Sequence, residues 1–218
     1  MSDQPAKRRA NRLTHDECLT VSESGTRACV CLTGYPGVGK YTVARELVEM
    51  TGPTNRFVLV DNHYTKNIIL GLLGQDDTIG ADAWAKIETV REAVFETIES
   101  LSPPQWTFVF THVLVDNPND AALYSRIETV AALRSSHFVP VTMTCDPDEL
   151  ARRAVSPERA NRFKLTDPEA LAQFSSDNHL LPIRHRNHLE LDVTALSAPD
   201  AARAILDNLD VVASGARG

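Results

Sequence analysis

Short apolar runs alternate with longer stretches of helical periodicity along most of the chain. The runs predict five strands, at residues 28–33, 57–61, 107–111, 138–144 and 189–193. Between them, apolar residues recur every three or four positions, which is the spacing of a helix that packs one face on a core. The two longest examples are Trp84, Ile87, Val90, Val94, Ile98 and Leu101, and Leu123, Ile127, Val130 and Leu133. The alternation predicts a three-layer α/β/α fold with a five-stranded, mostly parallel sheet and with ligands at the carboxyl ends of its strands.

Capping residues mark the starts of several predicted helices. An Asp or Ser stands just before a proline at 146–147, 156–157, 167–168 and 197–199. The side chain of such a residue accepts a hydrogen bond from the first helical turn, and proline fits the first helical positions. We therefore expect helices to begin at these places.

Composition and charge narrow the class of protein. The 218 residues suit one domain, and 22 basic against 29 acidic residues give a net charge of −7. This balance disfavours a protein that binds nucleic acid by neutralising its phosphates. No apolar run is long enough to span a membrane, and the N-terminus lacks the apolar core of a signal peptide. We expect a cytoplasmic protein with no membrane partner and with its cysteines reduced.

The two ends of the chain differ from its middle. Residues 1–27 are polar and charged, with no sustained periodicity. Such a segment buries too little apolar surface to offset its ordering entropy. The pattern therefore predicts a disordered tail at 1–27, a folded domain at 28–212 and a flexible C-terminus at 213–218.

The clearest chemical signal directly follows the first predicted strand. Its residues are Gly34, Tyr35, Pro36, Gly37, Val38, Gly39, Lys40, Tyr41 and Thr42. Glycines let the backbone turn its N–H groups toward an anion, the next helix adds its positive end, and the lysine reaches the terminal phosphates. The segment predicts a loop that binds the phosphates of a nucleotide.

One position departs from the usual pattern of such loops. The residue after the lysine is normally Ser or Thr, whose hydroxyl joins the Mg²⁺ shell, and here it is Tyr41. Thr42 offers the nearest hydroxyl. The string G-x-P-G-x-G-K-x-T resembles the adenylate-kinase variant of the motif. From about residue 28 to 210, the layout resembles small P-loop kinases, a group that includes nucleoside-monophosphate, shikimate and gluconate kinases and chloramphenicol phosphotransferases.

This resemblance implies a P-loop nucleoside triphosphate hydrolase fold with a helical lid, ATP and Mg²⁺ as cofactors, and a small-molecule acceptor. Lys40 would contact the phosphates that react. Asp61, at the end of the second strand, would act as the base for the acceptor or hold Mg²⁺ together with Thr42. His63 lies two residues further on and is a weaker candidate.

The resemblance also assigns three longer segments. Residues 150–186 would form the lid, and residues 62–82 would belong to the acceptor pocket by position alone. The loop at 192–197 would pass close to the nucleotide base. Arginines suit a lid because their planar charged groups pair with phosphate oxygens. The candidates are Arg153, Arg159 and Arg162.

Two features keep other functions open. The third predicted strand ends at His112, where many P-loop proteins carry an acid, unless Asp116 takes that place. Together with Tyr41, this leaves room for an ATP-binding switch or slow ATPase without a small-molecule acceptor, and a nucleic-acid kinase is a third option. The chain has neither the N-K-x-D motif of GTPases nor the L-S-G-G-Q motif of transporter ATPases. The function that we expect is transfer of the γ-phosphoryl of ATP to a hydroxyl or phosphate of a small molecule.

Overall fold

Five parallel strands form the centre of the molecule. The computed structural model describes residues 26–51, 56–73, 80–154 and 167–215. The strands are β1 (Ala28–Thr33), β2 (Phe57–Asp61), β3 (Thr107–Thr111), β4 (His137–Thr144) and β5 (Leu189–Asp192). All five were predicted from the apolar runs, and the observed ends differ by one residue at the start of β4 and at the end of β5. The predicted α/β fold is confirmed, and every strand pair is parallel.

Seven helices accompany the strands in the described part of the chain. They are α1 (Lys40–Met50), α2 (Asn62–Leu73), α3 (Ala81–Ser100), α4 (Pro118–Leu133), α5 (Pro147–Ala154), α6 (Pro168–Asp177) and α7 (Ala198–Ala213). The centre of the predicted lid, at 155–166, lies outside the described residues, as do residues 1–25 of the predicted tail. No helix among those described is both long and apolar enough to cross a membrane.

The strand order places the phosphate loop in the middle of one sheet edge. The order is β2-β3-β1-β4-β5, so β1 lies between β3 and β4. Asp61 pairs in register with Thr111 on β3, and Thr111 pairs with Leu32 on β1. The carboxyl ends of the three strands therefore meet, and the sequence that follows each of them reaches the same region.

Two apolar cores cover the two faces of the sheet, and β1 contributes to both. Ala28, Val30 and Leu32 belong to the core under α1 and α7, whereas Cys29 and Cys31 belong to the core under α3 and α4. This is the two-residue alternation of a strand that is buried on both sides. Both cysteines are free, and burial raises the pKa of each thiol to about 12. They therefore act as small apolar core residues, as expected.

Helix periodicity predicted some core residues wrongly. Ile87 and Ile98 of α3 are buried, but Trp84 is 40% exposed and Leu101 is 77% exposed. Leu133, at the end of α4, is 65% exposed. Leu101 is the C-cap of α3 and Leu133 is the last residue of α4, so both lie at helix ends; Trp84 lies in the first turn of α3, beside the cleft described below. Phe95 fills the core position on α3 that the pattern missed.

The predicted helix caps that fall in described segments are confirmed. Asp146, Asp167 and Ser197 accept hydrogen bonds from first-turn N–H groups of α5, α6 and α7, at 2.9, 3.0 and 3.2 Å. The cap predicted at 156–157 lies outside the described residues. Asn117 caps α4 in the same way, at 2.9 Å, and was not predicted.

Candidate active site

The loop between β1 and α1 has a backbone that only glycine adopts easily. φ is 146° at Gly34, 100° at Gly37 and 105° at Gly39. At Gly34, a β-carbon would also lie closer than 3.0 Å to the carbonyl oxygen of Met143 on β4. Glycine at this position lets the loop leave the sheet between β1 and β4.

Lys40 is the first residue of α1 and reaches back across the loop. Its Nζ donates hydrogen bonds to the carbonyl oxygens of Gly34, at 2.7 Å, and of Tyr35, at 2.9 Å. The cap residue Gly39 offers no side-chain hydrogen bond to the helix, and the first turn carries no acidic residue. Because nothing on the helix itself neutralises its positive end, the loop combines that end with an ammonium group, as anion binding requires.

Tyr41 and Thr42 follow in the first turn of α1. Tyr41 is half-buried, Thr42 is exposed, and both line the cleft beside the loop. The hydroxyl of Thr42 is therefore the aliphatic hydroxyl that this turn presents to the cleft.

Asp61 is held in place by the neighbouring strand. It is 5% exposed, and its Oδ1 accepts hydrogen bonds from the Thr111 hydroxyl at 2.8 Å and from the His63 N–H at 3.3 Å. None of the described residues donates to Oδ2, and Asp61 lines the cleft. A carboxylate fixed through one oxygen can use the other to accept a proton from a hydroxyl or to bind a metal ion.

One open cleft joins the loop and Asp61. Its volume is about 1920 Å³, and residues 36–43 of the loop line its middle. The loop after β5 and the start of α7 line one end, and α2, α3 and the start of α4 line the other. Single-ligand pockets measure roughly 300–1,000 Å³. The cleft is therefore large enough for a nucleotide and a second small molecule.

An Asp-x-Thr turn builds the end of the cleft beside β5. Asp192 Oδ1 accepts hydrogen bonds from the Thr194 N–H at 2.9 Å and from its hydroxyl at 2.6 Å. Thr194 Oγ1 in turn accepts the N–H of Asp146 at 2.8 Å. These bonds fix the loop after β5 to the start of α5, and they leave Val193 and Leu196 on the cleft wall.

Arg153 joins the phosphate loop to this turn. Its guanidinium donates to the carbonyl oxygens of Val38 at 3.3 Å, of Val193 at 2.9 Å and of Thr194 at 3.2 Å. Its Nε donates to Glu149 at 2.7 Å, and the exposed Arg152 pairs with the same carboxylate at 2.6 Å. Hydrogen bonds from Arg152 and Arg153 lower the pKa of Glu149 to about 2. Arg153 lines the cleft, whereas Arg159 and Arg162 lie outside the described residues.

The opposite end of the cleft is more strongly charged than the sequence suggested. His112 directly follows β3 and is 4% exposed. Burial, together with the nearby charges of Arg91, Lys40 and Lys66, lowers the pKa of its imidazole to about 3. His112 is therefore a neutral group with cations around it. Asp116, the alternative acid, is exposed and does not line the cleft.

Comparison of the sequence with family models and with curated proteins finds no match. Solved structures do match. A gluconokinase from Sinorhizobium meliloti 1021 aligns with a TM-score of 0.56 and 17% identity, over 86% of this chain and 94% of that chain. The Mycobacterium tuberculosis APS kinase in complex with AMPPNP and APS aligns with a TM-score of 0.54 and 15% identity, over 85% of this chain and 99% of that chain. A thymidylate kinase from Candida albicans aligns with a TM-score of 0.51 and 14% identity, over 88% of this chain and 94% of that chain.

The chain has the fold of the small P-loop kinases. The resemblance inferred from the phosphate loop is thus confirmed at the level of the fold, which is the level that identities of 14–17% support. Within this fold, the two candidate residues Lys40 and Asp61 lie on one cleft.

The charged wall of the P-loop kinase cleft was largely missed from the sequence. On α3, Trp84, Glu88, Arg91, Glu92 and Phe95 line the cleft. Their spacing of 4, 7, 8 and 11 residues from Trp84 marks one helical face that mixes aromatic and charged side chains. That mixture on one face was the available signal, because a face that only packs on a core is apolar.

Proposed function

We propose that the protein is an ATP-dependent phosphotransferase that moves the γ-phosphoryl of ATP to a hydroxyl or phosphate of a small molecule. The observation that carries the proposal is that one cleft holds both the phosphate loop with Lys40 and the carboxylate of Asp61, which Thr111 holds in place. The likeness to the APS kinase, whose structure contains a nucleotide analogue together with APS, supports it.

Different residues act on the phosphates, on the acceptor and on the nucleotide base. The backbone N–H groups of residues 37–42 and the ammonium of Lys40 stabilise the negative charge of the phosphates. Asp61 orients the acceptor hydroxyl and takes up its proton at Oδ2. Arg153, with Arg159 and Arg162 of the lid, adds positive charge on the nucleotide side. Val193 and Leu196 contact the nucleotide base.

The donor set suits Mg²⁺ better than a metal held by protein side chains alone. Among the described residues, no group of three or more His, Cys, Asp or Glu side chains could hold a metal ion. Thr42 and Asp61 each offer one oxygen to the cleft. Mg²⁺ in kinases takes few protein ligands and completes its shell with water and substrate phosphates. Thr42 would hold it here, with Asp61 as a second ligand in the alternative in which that carboxylate does not act on the acceptor, and the ion would neutralise charge on the nucleotide.

A slow ATPase or ATP-binding switch is the second candidate. His112 stands where many P-loop proteins carry an acid, and Tyr41 stands where most carry a small hydroxyl. Both positions normally support the metal shell. A switch would bind ATP at the same loop without a small-molecule acceptor.

The two candidates separate in an assay of ADP formation from Mg-ATP across a panel of acceptors. The panel contains nucleoside monophosphates, gluconate, shikimate, other sugars and hydroxylated antibiotics. A kinase shows a rate that rises with one class of acceptor, whereas a switch shows the same low rate throughout. Lys40→Met is expected to lower kcat/KM by about 10²-fold or more, because it removes the cation at the transferring phosphoryl. Lys86→Met removes an exposed charge on α3 and is the matched control.

Asp61→Asn tests the acceptor side separately. It is expected to lower kcat strongly while the affinity for AMPPNP stays within about twofold, because the carboxylate acts on the acceptor. Equal losses of kcat and of nucleotide affinity would assign Asp61 to the metal instead. Normal turnover by folded Lys40→Met protein would overturn the proposed function.

A further inference from the structure

Lys66 on α2 brings an unneutralised positive charge to the acceptor end of the cleft. Its Nζ lies 4.8 Å from the ring centroid of Trp84, and among the described residues no carboxylate lies within 4.0 Å of it. Neighbouring cleft arginines have such partners: Arg91 pairs with Glu88, and Arg126 pairs with Glu92 and Glu99. Burial and the charge of Arg91 lower the pKa of Lys66. The charged form of Lys66 is therefore destabilised by its surroundings, and no carboxylate at hydrogen-bond distance among the described residues offsets this cost.

Arg91, although paired with Glu88, is a fixed neighbour of this ammonium. Its side chain is only 8% exposed. Nη1 pairs with Glu88, and Nη2 donates to Asn62 Oδ1 at 3.1 Å. Its Nε has no hydrogen-bond partner among the described residues. The guanidinium therefore braces α3 against the start of α2, and its charge acts on the cleft beside Lys66.

His112, at the end of β3, is the third side chain at this end of the cleft, after Lys66 and Arg91. It is buried and lines the cleft, and its ring nitrogens make no hydrogen bond with any described residue. A buried polar group of this kind normally has a partner. Because the ring is neutral, one nitrogen can donate and the other can accept a hydrogen bond.

The acidic residues that the structure describes at this end do not form an ion pair with Lys66. Asp61 accepts from Thr111 and His63 through Oδ1. Asp120 Oδ2 accepts from the Val115 N–H and from Asn117 Nδ2, each at 3.0 Å, which closes the start of α4. Asp120 acts on Lys66 only at longer range. The ammonium of Lys66 is therefore left for a ligand.

We propose that the acceptor is a small anion, whose carboxylate or phosphate binds Lys66 and His112 beside Arg91, and whose remaining part lies against the exposed face of Trp84. The inference rests on the proposed function, because it names the substrate class of that site. An anion held by Lys66 would lie on the far side of the cleft from the nucleotide-base end, where the acceptor of a γ-phosphoryl belongs.

Anion binding can be measured without turnover. With AMPPNP and Mg²⁺ saturating the phosphate loop, probes are titrated in two pairs: gluconate with sorbitol, and glycerol phosphate with glycerol. The fluorescence of Trp84 reports on the site, and Trp106→Phe removes the signal of the protein's second tryptophan. We expect one anion, the carboxylate or the phosphate, to bind at least about tenfold more tightly than its uncharged partner.

Variants assign that preference to Lys66. Lys66→Met is expected to weaken the anion by about tenfold or more, Lys66→Arg to retain its affinity within about threefold, and Lys86→Met to change nothing. Equal binding of the charged and uncharged probes overturns the inference. Equal effects of Lys66→Met and Lys86→Met, or the absence of any saturable anion effect at millimolar concentration, overturn it as well.

Failure of the anion site and failure of the proposed function give different results. Lys66-dependent anion binding without ADP formation from any acceptor supports the anion site and contradicts the phosphotransferase. Lys40-dependent turnover of an uncharged acceptor, unaffected by Lys66→Met, supports the phosphotransferase and contradicts the anion site.

Discussion

Gly34→Ala is expected to destabilise the protein strongly, because two separate costs fall on one residue. Gly34 has a φ of 146°, a conformation that alanine adopts only with strain. The new β-carbon would also lie closer than 3.0 Å to the Met143 carbonyl oxygen and 3.1 Å from Val38 Cγ1. The nearer of these atoms is backbone in β4, so it can move away only if the sheet moves with it.

The size of the effect follows from the two terms. A residue forced into a sparsely populated φ/ψ region costs about 1–3 kcal/mol. Overpacking of a tight site costs about 1–3 kcal/mol more. The sum is roughly 2–6 kcal/mol, and at about 2–4 °C per kcal/mol for a domain of this length, Tm is expected to fall by roughly 4–24 °C.

Two other glycines separate the terms in thermal and urea unfolding. Gly39 has a φ of 105°, with nothing within 4 Å of a built β-carbon, so Gly39→Ala should show the strain alone, about 1–3 kcal/mol. Gly71 lies inside α2 with open space around it, so Gly71→Ala should stabilise by up to about 1 kcal/mol. If Gly34→Ala costs no more than Gly39→Ala, the contact with β4 does not constrain the loop and the reasoning is refuted.

Three further changes probe the cleft. Thr111→Val removes the hydroxyl that donates a hydrogen bond to Asp61. We expect the free energy of unfolding, measured in urea, to fall by about 1–3 kcal/mol, and kcat to fall with an unchanged KM for ATP. In Arg153→Lys, the lysine cannot bridge the three backbone carbonyls that the guanidinium joins. We therefore expect KM for ATP to rise several-fold while kcat is unchanged. A fall in kcat alone would instead indicate that Arg153 contacts the phosphates. His112 titrates near pH 6.5 in the unfolded chain and near 3 in the folded protein, so its contribution to stability is complete above pH 6.5 and is lost as the pH falls toward 3, by about 1.4 kcal/mol per pH unit. His112→Asn should flatten the dependence of unfolding free energy on pH between 6.5 and 5, and an unchanged slope would contradict the buried neutral imidazole.

The strands and the phosphate loop were predictable because their signals are local. Each strand is a continuous apolar run, since helices cover both faces of the sheet. The loop is a contiguous set of residues, with its glycines at the positions of positive φ and Lys40 at the start of the helix. Neither prediction requires knowing which strands are neighbours.

The charged end of the cleft was not predictable in the same way. Lys66, Arg91 and His112 come from α2, α3 and the end of β3, and they meet only because β2 and β3 are neighbours at the edge of the sheet. Trp84 occupies an apolar position of the helical pattern, yet it faces the cleft because α3 begins beyond the core. The partners of Arg153 are backbone carbonyls, which leave no trace in a sequence.

His112, which stands where many P-loop proteins carry an acid, also affects the charge of the cleft because it is neutral. A carboxylate at the end of β3 would offset one of the cations around it, whereas an imidazole with a pKa of about 3 carries no charge at neutral pH. Lys66 and Arg91 therefore act on the cleft with one more unit of uncompensated charge than an acid at that position would leave. Asp61 is then the carboxylate that the strand ends contribute to the cleft lining, held through Oδ1 and open at Oδ2. Under the proposed function, a histidine at this position leaves the metal or proton chemistry to Asp61 and favours an anion at the acceptor end.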